Sequence, residues 1–356
     1  MMMPPSTASA SDARPLLTIA VPTYNRSANL ALLLRNLAPQ IAEFPQVELL
    51  ISDNASPDDT EAVVRSFIAA GLRCRYLRNQ KNLNTDPNFL QCYQQARGTY
   101  LWIIGDDDVL FPGALAAILP YLSGDPVDIA FVTSITFDYQ PNETGLANPA
   151  PAVYTFTRPA AFLHSVGLRS DLILISSVIV NRDTIEREPY PDFKIGFDTK
   201  LLQLGWTFTA LKRMRRAVFF ERGLVAVCGL NPQRRMDLAW VFGVNWELMA
   251  RTFVGKDDPL YTALLKDQLY SWFVTHWYGM RRNPTHTILR DPVGQMRPIY
   301  GRFALYWLCV YPLLAWPMFP AGCWLLLWRT VRKLDRALDR LRVSRAATPQ
   351  AQPPVL

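Results

Sequence analysis

Histidine and cysteine are both scarce in this chain, and neither falls at a ligand-like spacing. His164, His276 and His286 each stand alone, which suits structural positions better than metal or catalytic ones. Cys74, Cys92, Cys228, Cys309 and Cys323 are odd in number and contain no CxxC pair. Neither a zinc cluster nor a disulfide framework is expected, and a reducing compartment fits. GxGxxG and the Walker pattern are also missing, which disfavours a dinucleotide enzyme or a P-loop ATPase. The opening "MMMPPSTASASDARP" has no apolar run of signal-peptide length. Residues 1–15 are expected to form a disordered lead-in, and export is not expected. Internal repeats are not evident.

Most of the chain also lacks positive charge. The formal total is +7, yet residues 281–356 hold twelve Lys/Arg against Asp291, Asp335 and Asp339, so this tail is about +9 and the remainder about −2. A body without basic excess argues against nucleic acid as a partner. The basic tail suits an anionic membrane surface. What is abundant is apolar: half of the 356 residues are hydrophobic, enough to build a substantial core in one large domain or two.

Apolar runs alternate with helical patterns through the first half. "LLTIAV" (16–21), "VELLIS" (47–52), "RCRYLR" (73–78) and "TYLWIIG" (99–105) read as strands. Between them, Leu30, Leu33, Leu34 and Leu37 share one helical face behind Ser27 as N-cap. A second helix begins near Pro57 and stops at Gly71, and a third covers Asp86 to Arg97. This alternation predicts an α/β fold with a mostly parallel sheet covered on both faces. Such sheets bind ligands beyond the carboxyl ends of their strands, and "PTYNR", "SDNAS" and "GDDD" all lie there. Further on, 135–157 is a turn-rich loop or lid, "DLILISSVIVN" (171–181) a buried strand, and 194–208 a loop leading into a short helix. Residues 236–278 are helical and aromatic-rich.

Phe303 to Trp328 is 26 residues without a charge, interrupted by Pro312, Pro317 and Pro320. Both flanks are basic, so a full crossing by a cytosolic protein would export positive charge against the usual bias. A re-entrant hairpin turning at 317–322 is preferred, its arms roughly 15–20 Å against about 30 Å of hydrocarbon. A kinked span and a buried soluble element are the alternatives. Beyond it, Val331, Leu334, Leu338 and Leu341 form one stripe with arginines opposite, a basic amphipathic helix suited to an anionic interface or packed on the body.

Three adjacent carboxylates, Asp106, Asp107 and Asp108, follow the apolar strand at 99–105. They cannot all be buried and ionised without a cation, and a hard divalent ion would take their oxygens while leaving positions for phosphate. A solvated turn capping the next helix is the other reading. Asp53 at its strand end is placed to accept a nucleobase N–H, although Asp53 and Asn54 are equally ordinary turn formers.

The series "TIAVPTYNRSANLALLLRNL", "VELLISDNASPDDT", "ARGTYLWIIGDDDVLFPGAL" and "GFDTKLLQLGWTF" resembles the family 2 glycosyltransferases, of GT-A nucleotide-sugar fold. With "NLNTDPNFLQCYQQARGTYLW" ahead of the triple Asp, it is most like their abequosyltransferase-like branch. The likeness covers about residues 16–210. It implies a GT-A domain over 16–230. The last 120 or so residues lie outside it; their own pattern gives a helical, aromatic-rich acceptor-side region over 231–300, a membrane-associating segment with amphipathic helix over 301–345, and a disordered tail over 346–356.

The resemblance assigns Asp53 to the nucleobase, with Pro22, Thr23 and Asn25 lining the nucleotide pocket and Tyr24 and Arg26 beside them. Asp107 becomes the main ligand of a Mg²⁺ or Mn²⁺ on the diphosphate, with Asp106 near the ribose. The motif's first Asp can be registered on Gly105 or Asp106, which leaves the role of Asp108, as metal ligand or neighbour, open. Asp198 matches the base, or else N-caps "TKLLQL". The implied reaction is an inverting transfer from a nucleoside diphosphate sugar to a saccharide, in polysaccharide or O-antigen synthesis. The acceptor would be a soluble saccharide or, as preferred, one carried on polyprenyl diphosphate at the inner face of a bacterial membrane, with the protein anchored through 303–343. Arg234 or Arg235 would meet that diphosphate. The competing classes are a tethered nucleotide-sugar-binding scaffold and a sugar-1-phosphate nucleotidyltransferase. The latter needs a Gly-rich basic loop that "VPTYNRSANL" lacks.

Overall fold

The strand–helix alternation read from the sequence folds as expected through residue 103. The computed structural model describes residues 14–137, 152–169, 172–228, 236–282, 287–288 and 290–346. In order, β1 (Leu17–Thr23), α1 (Ser27–Glu43), β2 (Val47–Asp53), α2 (Thr60–Ala69), β3 (Arg75–Arg78), α3 (Thr85–Gln95) and β4 (Tyr100–Ile103) form a parallel unit. The predicted face of α1 is the buried one, Leu30, Leu33, Leu34 and Leu37 being sealed against the sheet. Each such side chain contributes about 1.5–3 kcal/mol relative to exposure. Ser27 is not the cap: it is the first helical residue, and its N–H donates to Asp58 Oδ2 at 2.8 Å.

Past β4 the sheet ceases to be parallel. The chain continues through β5 (Val109–Leu110), α4 (Ala114–Ser123), β6 (Ile129–Phe137), β7 (Val153–Phe156), α5 (Pro159–Arg169), β8 (Val178–Asn181), α6 (Arg182–Ile185), α7 (Gln203–Lys212) and β9 (Ala217–Cys228). The strand order is β3-β2-β1-β4-β8-β6-β9-β5, with β7 on β9. Strand β8 runs antiparallel to both β4 and β6, and β5 and β7 are antiparallel to β9. The expected mostly parallel sheet is therefore a mixed one. The strand expected over 171–181 pairs only at 178–181. Residues 175–177 make a tight helical turn instead, whose Ser176 carbonyl accepts the Trp102 indole N–H at 2.8 Å.

After β10 (Met236–Asp237) the described chain is mainly helical: α8 (Trp246–Phe253), α9 (Pro259–Gln268) and α10 (Val274–Arg282), then β11 (Thr287–Ile288), which pairs with β10, and α11 (Pro292–Tyr300), α12 (Tyr311–Ala315) and α13 (Met318–Ala346). These helices close over one sheet face, and a continuous apolar cluster runs from Leu50 and Phe131 to Trp277, Tyr306 and Leu313.

The apolar stretch 303–328 departs from the expected membrane hairpin. Its first arm is packed into this core, with Tyr306, Cys309, Val310 and Leu313 fully buried. The break falls at Trp316, whose backbone is extended, and the second arm merges with the amphipathic segment into the single 29-residue helix α13. Among the described residues, no helix is long and apolar enough to cross a membrane. Most of the loop or lid expected over 135–157, Arg234 and Arg235, the lead-in at 1–13 and the tail from 347 lie outside the described residues.

Candidate active site

The register of the parallel strands sets the site. Thr23 pairs with Asp53, and Asp53 with Arg78, so three polar side chains stand level at the carboxyl ends of β1, β2 and β3. Strand β4 ends opposite Ala20, and its continuation through Gly105 carries the carboxylates across toward Thr23.

The three aspartates separate into two environments. Asp106 is buried, its Oδ2 accepting the Thr23 hydroxyl at 2.8 Å. Asp106 Oδ1 and Asp107 Oδ2 both accept from the same nitrogen, Arg26 Nη1, at 2.9 and 2.7 Å. Asp108 turns the opposite way, accepting from the Ser176 hydroxyl and from the Cys228 N–H at 3.1 Å. Gly105 makes this splitting feasible, since a Cβ there would lie 2.9 Å from Asp108 Oδ2 and 3.1 Å from Asp107 Oδ1. Burial pushes the Asp108 carboxyl up to about 7. Burial also raises Asp106, which Arg26 partly offsets. For Arg26 itself burial works against the charge, but Asp106 and Asp107 outweigh it and hold the guanidinium above its usual value.

Among the described residues, no group of three or more His, Cys, Asp or Glu is arranged to hold a metal ion. Two carboxylate oxygens do converge on one cationic nitrogen. Two is a sufficient protein donor count for Mg²⁺ or Mn²⁺, which complete their shells with water and substrate phosphate. The donor set of Asp106 and Asp107 thus fits such an ion, whereas Asp108 is turned away from it.

A second cluster surrounds Asp53, which is fully buried. Its Oδ1 accepts the Ser56 N–H at 2.8 Å, and its Oδ2 accepts the Tyr76 hydroxyl at 2.5 Å and Arg78 Nε at 3.3 Å. In this arrangement the carboxylate orients Tyr76 and Arg78, and half-exposed Arg78 forms the rim. Asn25 sits at φ 55°, and its N–H donates to Ser56 Oγ at 2.9 Å, tying the first cluster to the second. Pro22 is buried in β1, and Tyr24 is exposed beside the cluster. Asn54 is a structural knot rather than an idle turn former. It donates to Asn82 Oδ1 and the Asn84 carbonyl, and accepts from Asn79 and the Leu83 N–H.

Asp198 belongs to a third group. Helix α7 starts at Gln203, so Asp198 lies well before its first turn and does not cap it. It is exposed, at φ 65°, in a turn whose Lys200 is also at positive φ, 61°. Thr199 clasps this turn through its hydroxyl to the Gly196 carbonyl at 2.6 Å, and Asn245 Nδ2 donates to the Thr199 carbonyl at 3.0 Å. Asp86, in the first turn of α3, accepts the Lys200 N–H at 3.4 Å. Two residues along α3, Asn88 bonds Ser52 on β2, linking the Asp198 turn to the Asp53 strand.

Arg78, Tyr76, Ser176 and Asp86 were not singled out from sequence. Arg78 carries a usable signal, being the last residue of a strand whose neighbours end in site residues. The other three are recognisable only from their partners. Asp86 is buried with Oδ1 unpartnered. Burial raises its carboxyl, the Lys200 and Asp198 N–H groups lower it, and the Asp198 charge raises it. A carboxyl raised on folding stabilises the fold below the ordinary value, about 3.9, and loses that contribution as pH climbs through its folded value. Asp86→Asn removes the titration while keeping an oxygen for Lys200. Its melting temperature relative to wild type should therefore rise as the pH climbs above about 4 and level off once the wild-type carboxyl has ionised. A difference that stays flat with pH would contradict the assignment.

Parallel strands ending in a row of polar groups beside paired carboxylates define an α/β domain with a polar site at its strand ends. Residues 18–181 match the family described as Glycosyl transferase family 2. The chain is 39% identical over 108 residues to abequosyltransferase RfbV of Salmonella typhimurium, covering 30% of this chain and 32% of that protein. It is 34% identical over 107 residues to the GalNAc(5)-diNAcBac-PP-undecaprenol beta-1,3-glucosyltransferase of Campylobacter jejuni, covering 30% and 34%. The chain thus spans about a third of the length of the curated relatives it matches. In solved structures, S. aureus TarS 1–349 in complex with UDP-GlcNAc superposes with a TM-score of 0.59 at 15% identity, covering 90% of this chain and 92% of that one. At that identity the shared feature is the fold.

Proposed function

We propose that the protein transfers a sugar, with inversion, from a nucleoside diphosphate sugar to a lipid-linked saccharide in surface polysaccharide synthesis. The observation that carries this reading is the convergence of Asp106 and Asp107 on a single cation, level with Thr23, Asp53 and Arg78. Arg78, oriented by Asp53, would border the base, and Asp106, bonded by Thr23, would face the diphosphate. Mg²⁺ or Mn²⁺ held by Asp106 and Asp107 would supply charge neutralisation for the departing diphosphate. Asp198, exposed on its fixed turn, would take the proton from the attacking sugar hydroxyl. One base and one leaving group make a single displacement. The test is a panel of nucleotide sugars assayed for acceptor-dependent nucleoside diphosphate release, with the product anomer read by NMR. Inversion is expected. A retained configuration, or no release with any donor, would overturn the reading.

The membrane side of the proposal rests on α13, which exposes an apolar stripe together with cations. Three of its charged residues turn inward: Arg332 donates to the Gly167 carbonyl at 3.0 Å, Asp335 accepts the Tyr270 hydroxyl at 2.6 Å, and Asp339 accepts the Ser165 hydroxyl at 3.1 Å. Its outer face presents Phe319, 83% exposed, with Leu326, Leu327, Leu334 and Leu338. Arg329, Lys333, Arg336 and Arg342 are exposed along the same helix. An apolar stripe flanked by cations, with the acids turned in, matches an anionic phospholipid surface. The protein should sediment with phosphatidylglycerol vesicles and not with phosphatidylcholine ones. Leu334→Glu with Leu338→Glu, both at exposed positions, should abolish sedimentation; a double variant that still pellets would refute this surface.

A further inference from the structure

Arg26 stands where a divalent ion would have to sit. A single nitrogen, Nη1, bridges Asp106 Oδ1 and Asp107 Oδ2, the two oxygens that form the cation site proposed above. We infer that Arg26 is a built-in counter-cation that keeps this site closed, leaving only when a divalent ion and a diphosphate arrive together. The inference rests on the cation reading of the preceding section.

Three observations support it. Asp106 is held by another group and does not need Arg26 to keep its position. Asp106 is fastened through Oδ2 to the Thr23 hydroxyl on β1, and the turn is pinned below by Asp108 to Ser176 and the Cys228 N–H. Arg26, by contrast, lies in the connection between β1 and α1, directly after Asn25 at φ 55°, and its side chain keeps 22% of its surface in solvent. Of the Arg26–Asp106 pair the held side chain is thus the acid, at 7% exposure, and the side chain with room to leave is the base. The charges also do not balance, because one guanidinium faces two carboxylates. A divalent ion answers that pair more completely, but it must first displace the arginine.

The consequence is a coupling between the two ligands. A divalent ion arriving alone expels Arg26 into solvent and loses its two charge-assisted bonds. When a diphosphate arrives too, the released guanidinium gains an anionic partner, and the site keeps its positive charge. By reciprocity, each ligand then strengthens the other equally. If Arg26 is docked about nine-tenths of the time, it weakens the apparent affinity for the free ion about tenfold.

The test is Mn²⁺ binding to the purified full chain, measured by electron paramagnetic resonance, with and without inorganic pyrophosphate. No turnover is required. Arg26→Met should bind Mn²⁺ alone about tenfold more tightly than wild type, and pyrophosphate should then strengthen its Mn²⁺ binding much less than it does in wild type. Arg26→Gln, which keeps polar contact without charge, should behave the same way and serves if the methionine variant does not fold. Variants that bind Mn²⁺ alone no more tightly than wild type would overturn the inference. If wild type binds Mn²⁺ with pyrophosphate and the variants do not differ from it, only the arginine's role fails. If no form binds Mn²⁺ even with pyrophosphate, the cation reading falls, and this inference with it.

Discussion

Asp198→Asn should leave the protein folded and able to bind a donor nucleotide, while sugar transfer falls by roughly 10²–10⁴-fold, the usual contribution of a positioned general base. Asparagine is the informative substitution because Asp198 sits at φ 65°, a region Asn tolerates better than other non-glycine residues. The turn itself is held by Thr199, Asn245 and Asp86, none of which uses the Asp198 side chain. A loss of transfer with unchanged melting temperature and nucleotide affinity therefore isolates the missing carboxylate. The measurements are acceptor-dependent diphosphate release and nucleotide titration. Transfer within a few-fold of wild type would remove Asp198 as base.

Asp107→Ala should abolish cation-dependent release of the nucleoside diphosphate, with an expected loss of about 10²–10³-fold, the range for removing one preorganised electrostatic group from a transition state. Its side chain is 26% exposed and bonded to Arg26, so truncation leaves no buried orphan and the fold should persist. Only one of the two converging oxygens then remains, on Asp106, and Arg26 pairs with it alone. Wild-type protein treated with a chelator should lose release to a similar extent, and chelation should add little to the loss in the variant. Full turnover by Asp107→Ala would show that the pair does not serve the leaving group.

Much of this site is legible in the chain because strand ends are marked by local chemistry. Apolar runs stop at Pro22–Arg26, at Ser52–Asn54 and at Gly105–Asp108, and a sheet of parallel strands brings such ends to one edge. The helical face of α1 was equally local, since 3.6-residue periodicity needs no knowledge of the rest of the fold. Where reading failed, the deciding partner was remote. The 171–181 run looks like one strand throughout, yet only 178–181 finds a neighbour to pair with.

The same division separates what the sequence by itself determined from what only the tertiary structure decided. Composition and order were enough for an α/β domain with acidic and amide groups at its strand ends, because hydrophobic period and turn chemistry act over a few residues. They could not sort three identical aspartates: Asp106 and Asp107 face Arg26 while Asp108 faces Ser176 and Cys228, residues 68 and 120 positions away. Nor could they tell which apolar segment is buried. The uncharged run at 303–328 divides between a core-packed first arm and an outward-facing stripe on α13. Hydrophobicity states that a side chain avoids water; only the packed fold determines what shields it.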